Sequence, residues 1–366
     1  MKTLLFTLEY PPFHGGVANY YGSLVKYWPS QDDIAVLNNS DDRLINNKLP
    51  AFKWLPACFA LRREIKQRKI DHILVGQILP LGTAALICFK FFKTKYSVFL
   101  HGLDFTLAVK TRRKKFISRK ILTGAEKIIC ANSYTAELVK QVFPAMARKI
   151  TVVNPGVEKL AAHNSQLVTQ LSKKYNIENK IIFLSVGRLI KRKGFDKVIE
   201  AMPAILKQMP NLVYTIVGDG PEIENWKLKI NNLGLEKQIK IIDQTTDEER
   251  DAWYNLCDIF IMPARNINGD FEGFGIVYLE AGLAGKPVIA GRSGGVGDAV
   301  IDGLNGLLVD PENINQLASA VIKLALNPEL RKKLGEQGRK RAIKEFDWEK
   351  QAEKIYKSIL KMTNFQ

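Results

Sequence analysis

A chain of 366 residues, 46% hydrophobic and 25% charged, is too long for one hydrophobic core and too ordinary in composition for a disordered chain, which implies two globular domains. Its net charge of +17 is concentrated, since residues 1–160 hold 25 Lys and Arg against 11 Asp and Glu while the rest holds 29 against 26. The cysteines Cys58, Cys88, Cys130 and Cys257 are far apart with no C-x-x-C pair, which excludes a disulfide framework and fits a reducing, cytoplasmic compartment.

The first apolar run is too short for a signal-peptide core and reads as a strand over residues 3–8. Further buried strands are expected at 34–37, 72–75, 96–100, 127–131 and 150–153, with helical patterns such as 17–27 between them. The most apolar stretch, 79–92, is broken by Pro80, Gly82 and Lys90 and is too short to span a bilayer. Residues 155–180 read as a linker and a short helix, after which strands recur at 181–186, 212–217, 239–242, 259–262, 287–290 and 306–309. This is the βαβ signature of parallel sheets. The expected fold class is therefore α/β, with two doubly wound Rossmann-like domains, 1–160 and 161–345, facing each other across a cleft. A last amphipathic helix at 346–362 has no strand after it and is expected to cross back to the first domain.

Ligands of open parallel sheets sit beyond the carboxyl ends of strands, and three motifs of the second half fall there. Gly187-Arg188 followed by Lys191-Arg192-Lys193-Gly194 puts a guanidinium fork and an ammonium on one loop, a pair suited to a diphosphate. A helix is expected near Phe195. In the run Glu272-Gly273-Phe274-Gly275-Ile276, continuing to Glu280, the glycines allow close backbone approach and the following helix offers free amides to a phosphate. Glu280 is suited to ribose hydroxyls and Glu272 to sugar hydroxyls. In Gly218-Asp219-Gly220-Pro221 a strand enters a glycine turn, with Pro221 suited to the first position of a helix.

These motifs, with Met262-Pro263-Ala264-Arg265 and Gly285-Lys286-Pro287 through Ser293-Gly294-Gly295, resemble family 4 of the retaining glycosyltransferases, which have the GT-B fold. The 272–295 stretch is most similar to the GDP-mannose-dependent mannosyltransferases acting on phosphatidylinositol mannosides. The resemblance implies a nucleotide-sugar-binding second domain and an acceptor-binding first domain. In it Arg188 and Lys193 hold the diphosphate, Glu280 the ribose and Glu272 the donor sugar, while the amides of Phe274, Gly275 and Ile276 help hold both. It also implies that Gly15 and Gly16 form a loop approaching the phosphates and that His101 lies near the reacting sugar. The base-side loop departs from the family: Ile241-Ile242-Asp243 replaces the usual Phe-Leu-Gly, with Thr245 as a candidate contact. A UDP-sugar donor therefore stays open.

No Asp-x-Asp occurs, and His14, His72, His101 and His163 show no metal-ligand spacing. No metal and no cofactor are expected. The run from Lys110 to Lys120 holds seven basic residues in eleven, with Phe116, Ile117, Ile121 and Leu122 at helical spacing. It reads either as an amphipathic helix lying on an anionic membrane surface or as a solvated helix whose apolar stripe faces its own core. Phe89-Lys90-Phe91-Phe92-Lys93 would add aromatic and basic anchors nearby. A basic nucleic-acid-binding protein is the rival class, but no nucleic-acid motif occurs and no nucleic acid is expected. A sugar-nucleotide epimerase or hydrolase is the rival within the fold.

Overall fold

The computed structural model describes residues 1–13, 15–40, 42–48, 52–160 and 164–360. They form two compact units, one holding Met1–Gly156 and the segment from Trp348 onward, the other Val157–Asp347.

The first unit is built on β1 (Thr3–Phe6), β2 (Ile34–Leu37), β3 (His72–Val75), β4 (Lys95–Leu100), β5 (Ile128–Cys130) and β6 (Ile150–Val152). All pair in parallel, in the order β2-β1-β3-β4-β5-β6. β1, β3 and β5 are buried along their whole length, because helices cover both faces and the strands carry unbroken apolar runs. Leu4 and Phe6 point into one layer with Leu61, Ala84 and Ile121. Leu5 points into the other with Tyr20, Tyr21 and Leu24.

The helix Trp348–Leu360 joins that second layer through Trp348, Ala352, Ile355 and Ile359. The turn into it is tight: Gly156 lies so close to Trp348 that a Cβ would strike its ring. The Val157 amide donates to the Phe346 carbonyl (2.7 Å). The units therefore divide at 156/157 and 347/348, a few residues from the 160/161 and 345/346 read from the sequence.

The second unit contains β7 (Ile181–Val186), β8 (Leu212–Val217), β9 (Ile239–Ile242), β10 (Ile259–Met262), β11 (Val288–Gly291) and β12 (Gly306–Val309), again all parallel. Their order, β12-β11-β10-β7-β8-β9, puts the first strand beside the fourth. Pro221 does not open the next helix; it lies in the turn before Ile223–Asn232, whose cap is Glu222.

The apolar stretch of the first half becomes the helix Leu81–Phe92, which buries Leu81, Ala84, Ala85 and Cys88. Among the described residues no helix is long and apolar enough to cross a membrane. Residues Arg112–Gly124 form a helix capped by Thr111. Its stripe is split: Ile121 and Leu122 are buried in the unit's own core, whereas Phe116 is exposed with Lys120 Nζ over its ring (4.5 Å). Half of the expected lipid-facing stripe is thus already occupied by core packing.

Candidate active site

In a sheet of this order the connections after β7 and β10 leave to opposite sides, opening a crevice at the carboxyl ends of these two neighbours. After β7 the chain passes Gly187 and Arg188, makes a single 3-10 turn at Lys191–Lys193, and enters the helix Phe195–Leu206. Gly194 (φ 75°) closes that turn, and a Cβ there would collide with the Pro263 carbonyl just past β10. Only glycine lets the two loops touch. On the far side Gly294 (φ 53°) lies equally close to the Glu272 carbonyl, which also accepts from the Gly295 amide (2.9 Å). Glu272 is thereby held between the loops after β7 and β11.

Its carboxylate is the centre of a charged cluster. Lys193 Nζ lies 2.8 Å and Arg192 Nη1 2.6 Å from the same oxygen, Oε2. No partner is found for Oε1 among the described residues. Arg192 Nε is 3.0 Å from Asp270 Oδ1, close enough for an ion pair but off the line of a hydrogen bond. Asp270 is presented by the turn Ile267–Asp270, a pair of antiparallel bridging residues. Glu272 is only 7% exposed. Burial is the largest influence on its carboxyl and pushes the pKa up, but Lys193 and then Arg192 together outweigh it and hold the group below the ordinary carboxylate range. Glu272 is therefore an ionised acceptor and not a proton donor.

Arg188 is exposed, and its guanidinium has no partner among the described residues. Arg188 and Lys193 share a loop, as the motif suggests; Lys193 is engaged by Glu272, while Arg188 stands exposed. Gly273 and the buried Phe274 lead to Gly275, the left-handed cap (φ 80°) of the helix Ile276–Leu283. The amides of Ile276 and Val277 at that end have no intrahelical acceptor and form a natural anion-binding terminus. Glu280 stands in the same helix, where Tyr254 Oη donates to its Oε2 (2.6 Å). Burial raises the Glu280 pKa against the opposing pull of Tyr254 and Arg250. Gly218 follows β8, and Thr245 lies in the loop after β9, just ahead of the helix Asp247–Leu256. Among the described residues no group of three or more His, Cys, Asp and Glu is placed to hold a metal ion.

The first unit holds the remaining candidates. His101 follows β4, and its Nε2 lies 2.8 Å from Tyr21 Oη. Tyr21 Oη also donates to the Gly76 carbonyl (2.7 Å), just past β3. A carbonyl can only accept, so the single phenolic proton goes to Gly76 and His101 Nε2 donates to Tyr21. Nδ1 is then the acceptor nitrogen, without a partner among the described residues. The rings of Tyr20 and Tyr21 meet His101 edge to face (5.0 and 5.4 Å between centroids). Burial in this aromatic setting pushes its pKa down to about 4. Asp104 Oδ1 accepts from the amides of His101 and Gly102 (2.9 and 2.8 Å), tying down the turn that carries the imidazole.

Gly15 caps the helix Gly16–Lys26. A Cβ at Gly16 would meet nothing within 4 Å, so the fold itself does not demand glycine there. Sequence reasoning passed over Arg192, Asp270, Tyr254, Tyr21 and Asp104. Arg192 lies within the run that carries Lys193 and Asp104 stands three residues after His101, while Tyr21 and Tyr254 carry no local signal.

Two sequence profiles match the chain: Glycosyl transferases group 1 over residues 168–341 and Glycosyltransferase Family 4 over 14–159. This chain belongs to family 4 of the glycosyltransferases. The enzyme is 26% identical to the GDP-mannose-dependent alpha-(1-6)-phosphatidylinositol monomannoside mannosyltransferase of Mycolicibacterium smegmatis, over 94% of each chain. It is 29% identical to an uncharacterised glycosyltransferase of Methanocaldococcus jannaschii, over 96% of this chain and 95% of that one. Its fold is similar to that of Anabaena HepE, crystallised in complex with UDP, at a TM-score of 0.80, 18% identity and 99% and 100% coverage. The glycosyltransferase thus has the two Rossmann-like sheets of the GT-B class and uses a nucleotide-sugar donor.

Proposed function

We propose that the enzyme transfers a hexose, mannose from GDP-mannose in the first instance, to a lipid-linked or glycan acceptor with retention at the anomeric carbon and without a metal. The observation that carries this reading is the cation-and-carboxylate cluster at the β7/β10 crevice, with Arg188 unpartnered beside it. Arg188, Lys193 and the amides of Ile276 and Val277 neutralise charge developing on the departing β-phosphate, the task a metal performs elsewhere. Glu272 accepts from donor-sugar hydroxyls, and Glu280 from the ribose. By the family resemblance Gly15 and Gly16 serve the phosphates, and His101, a neutral imidazole, serves a hydroxyl of the reacting sugar. The bond from C1 to the phosphate oxygen breaks as the acceptor oxygen bonds C1 on the same face. The acceptor proton passes to the β-phosphate oxygen.

Mannose and guanosine rest on relatives named as GDP-mannose-dependent at 26 to 27% identity over nearly the whole chain. A UDP-sugar is the second reading, supported by Anabaena HepE, solved with UDP-glucose, and kept open by the departure of the base-side loop at Asp243 after β9. A membrane-bound acceptor is supported by the exposed Leu103, Leu107 and Phe116 beside the exposed cations Arg112, Arg113, Arg119 and Lys120, on a cytoplasmic face of the membrane.

Thermal unfolding against GDP, UDP, ADP and their sugars tests the proposal. The correct nucleotide sugar at 100 times its Kd adds about 2.7 kcal/mol of stability, and chelator leaves turnover unchanged. NMR of the first-formed product shows the anomeric configuration of the donor. Stabilisation by UDP-sugars alone selects the second reading, and conversion of donor without acceptor into an epimer refutes transfer.

A further inference from the structure

Lys193 and Arg192 both hold Glu272 Oε2, so one carboxylate oxygen carries two cations and the other carries none among the described residues. A diphosphate arriving at the loop after β7 competes for Lys193. Arg192 is not free to follow, because Asp270 Oδ1 holds its Nε in an ion pair at 3.0 Å and its carbonyl accepts from the Arg265 amide (2.9 Å). We propose that Arg192, braced by Asp270, is a positioning residue that fixes Glu272 with Oε1 turned to the donor sugar after Lys193 has moved to the diphosphate, and so sets discrimination among donor sugars.

This rests on the reading of Glu272 as the sugar-facing carboxylate. The chemistry favours Arg over Lys here: a planar fork reaches two carboxylates at once, on Nη1 and Nε, which an ammonium on a flexible stem does not do in a fixed geometry. A carboxylate oriented by one fully engaged oxygen offers its second oxygen in one direction. Epimeric hydroxyls are then told apart by whether they meet it. The groups facing Glu272 are Lys193 and Arg192 from the loop after β7, Tyr278 from the following helix, and the turn at Ser293–Gly295, whose charged neighbour Arg292 is paired with Asp302. Arg265, behind Arg192, is paired with Asp196 (2.8 Å).

The test compares Arg192→Gln, Arg192→Lys and Asp270→Asn in the full-length enzyme. Calorimetry measures binding of the nucleoside diphosphate and of its sugar, and kcat/KM is followed against pH for the preferred donor and its epimers. Arg192→Gln is expected to leave diphosphate affinity within about two-fold and to weaken the diphosphate sugar about ten-fold, with discrimination between epimers reduced by a similar factor. Glu272 then keeps one cation against the same burial, so its carboxyl titrates higher. The acid limb of kcat/KM moves to higher pH. Asp270→Asn is expected to reduce discrimination in the same direction more weakly without raising the acid limb, and Arg192→Lys to restore the acid limb but not the discrimination. Equal weakening of diphosphate and diphosphate sugar overturns the proposal, as does an unmoved acid limb in Arg192→Gln. Arg188→Ala separates this from the underlying reading. If that variant binds nucleotide normally, the crevice is not the donor site and both fall; if it loses nucleotide while Arg192→Gln discriminates like the parent, only this inference falls.

Discussion

Beyond β4 in the first unit, His101 is kept neutral, its pKa lowered to about 4 by burial among aromatic rings, with one nitrogen committed to Tyr21. Beyond β10 in the second unit, Glu272 is just as enclosed, yet it is kept charged by two cations. Both sites stand at carboxyl ends of parallel strands in sheets of related order. The difference lies in what surrounds the titratable group. Aromatic walls remove charge and leave a directional lone pair, whereas a cation pair preserves charge where burial would quench it. The second arrangement suits a site that must receive and release an anionic diphosphate. The first suits one that orients a hydroxyl without disturbing its protons.

The largest test of this contrast is on the charged side. Lys193→Ala and Arg188→Ala should each lower kcat by about 10²–10³-fold, the usual cost of deleting one stabiliser of transition-state charge, in steady-state assays with saturating acceptor. Lys193→Ala should lose more stability as well, since it leaves Glu272 with one cation, whereas Arg188→Ala removes no contact and should melt like the parent. Near-normal turnover in both would place the leaving group elsewhere.

On the neutral side, Tyr21→Phe removes the acceptor of His101 Nε2–H and the donor to Gly76. The cost to stability should be about 1–3 kcal/mol, and turnover should fall about ten-fold as one interaction of about 1.4 kcal/mol is lost. An unchanged kcat would show that the imidazole needs no fixed tautomer. A subtler effect concerns the surface helix Arg112–Gly124: each of Arg119→Gln and Lys120→Gln should weaken binding to vesicles containing anionic lipid about five-fold, from about 1 kcal/mol per cation. Co-sedimentation measures this, and insensitivity would assign the helix to solvent.

The smallest effect is a null in a defined window. With its pKa lowered to about 4 from 6.5, His101 should show no ionisation between pH 5 and 8 in an NMR titration of its ring protons. By linkage, the depressed value favours the folded enzyme above pH 6.5 and removes that contribution as pH falls from 6.5 towards 4. Asp104 runs the opposite way: burial raises it to about 6, so the fold is penalised as pH rises from 4 to 6. The two slopes oppose each other, and Asp104→Asn should expose the His101 slope in acid unfolding curves.

Both sheets could be read along the chain because most strands carry a largely apolar run of the kind a doubly covered parallel sheet buries, and each helix carries its own period. The glycine turns after the strands are legible for a related reason. Gly194, Gly218 and Gly275 all adopt positive φ, and such positions select glycine locally, whatever lies far away in sequence. Arg188 and Lys193 share a single loop and could be paired by spacing alone. Contacts between distant segments were not legible. That Arg192 is braced by Asp270, that Tyr254 serves Glu280, that Tyr21 orients His101, and that Cys58 and Cys88 come within 3.9 Å depend on which loops the strand order brings side by side. Lys193 faces Glu272 because β7 neighbours β10 and glycines let their loops touch. The split stripe of the basic helix has the same origin, since helical period marks an apolar face but packing decides which part of it is already covered.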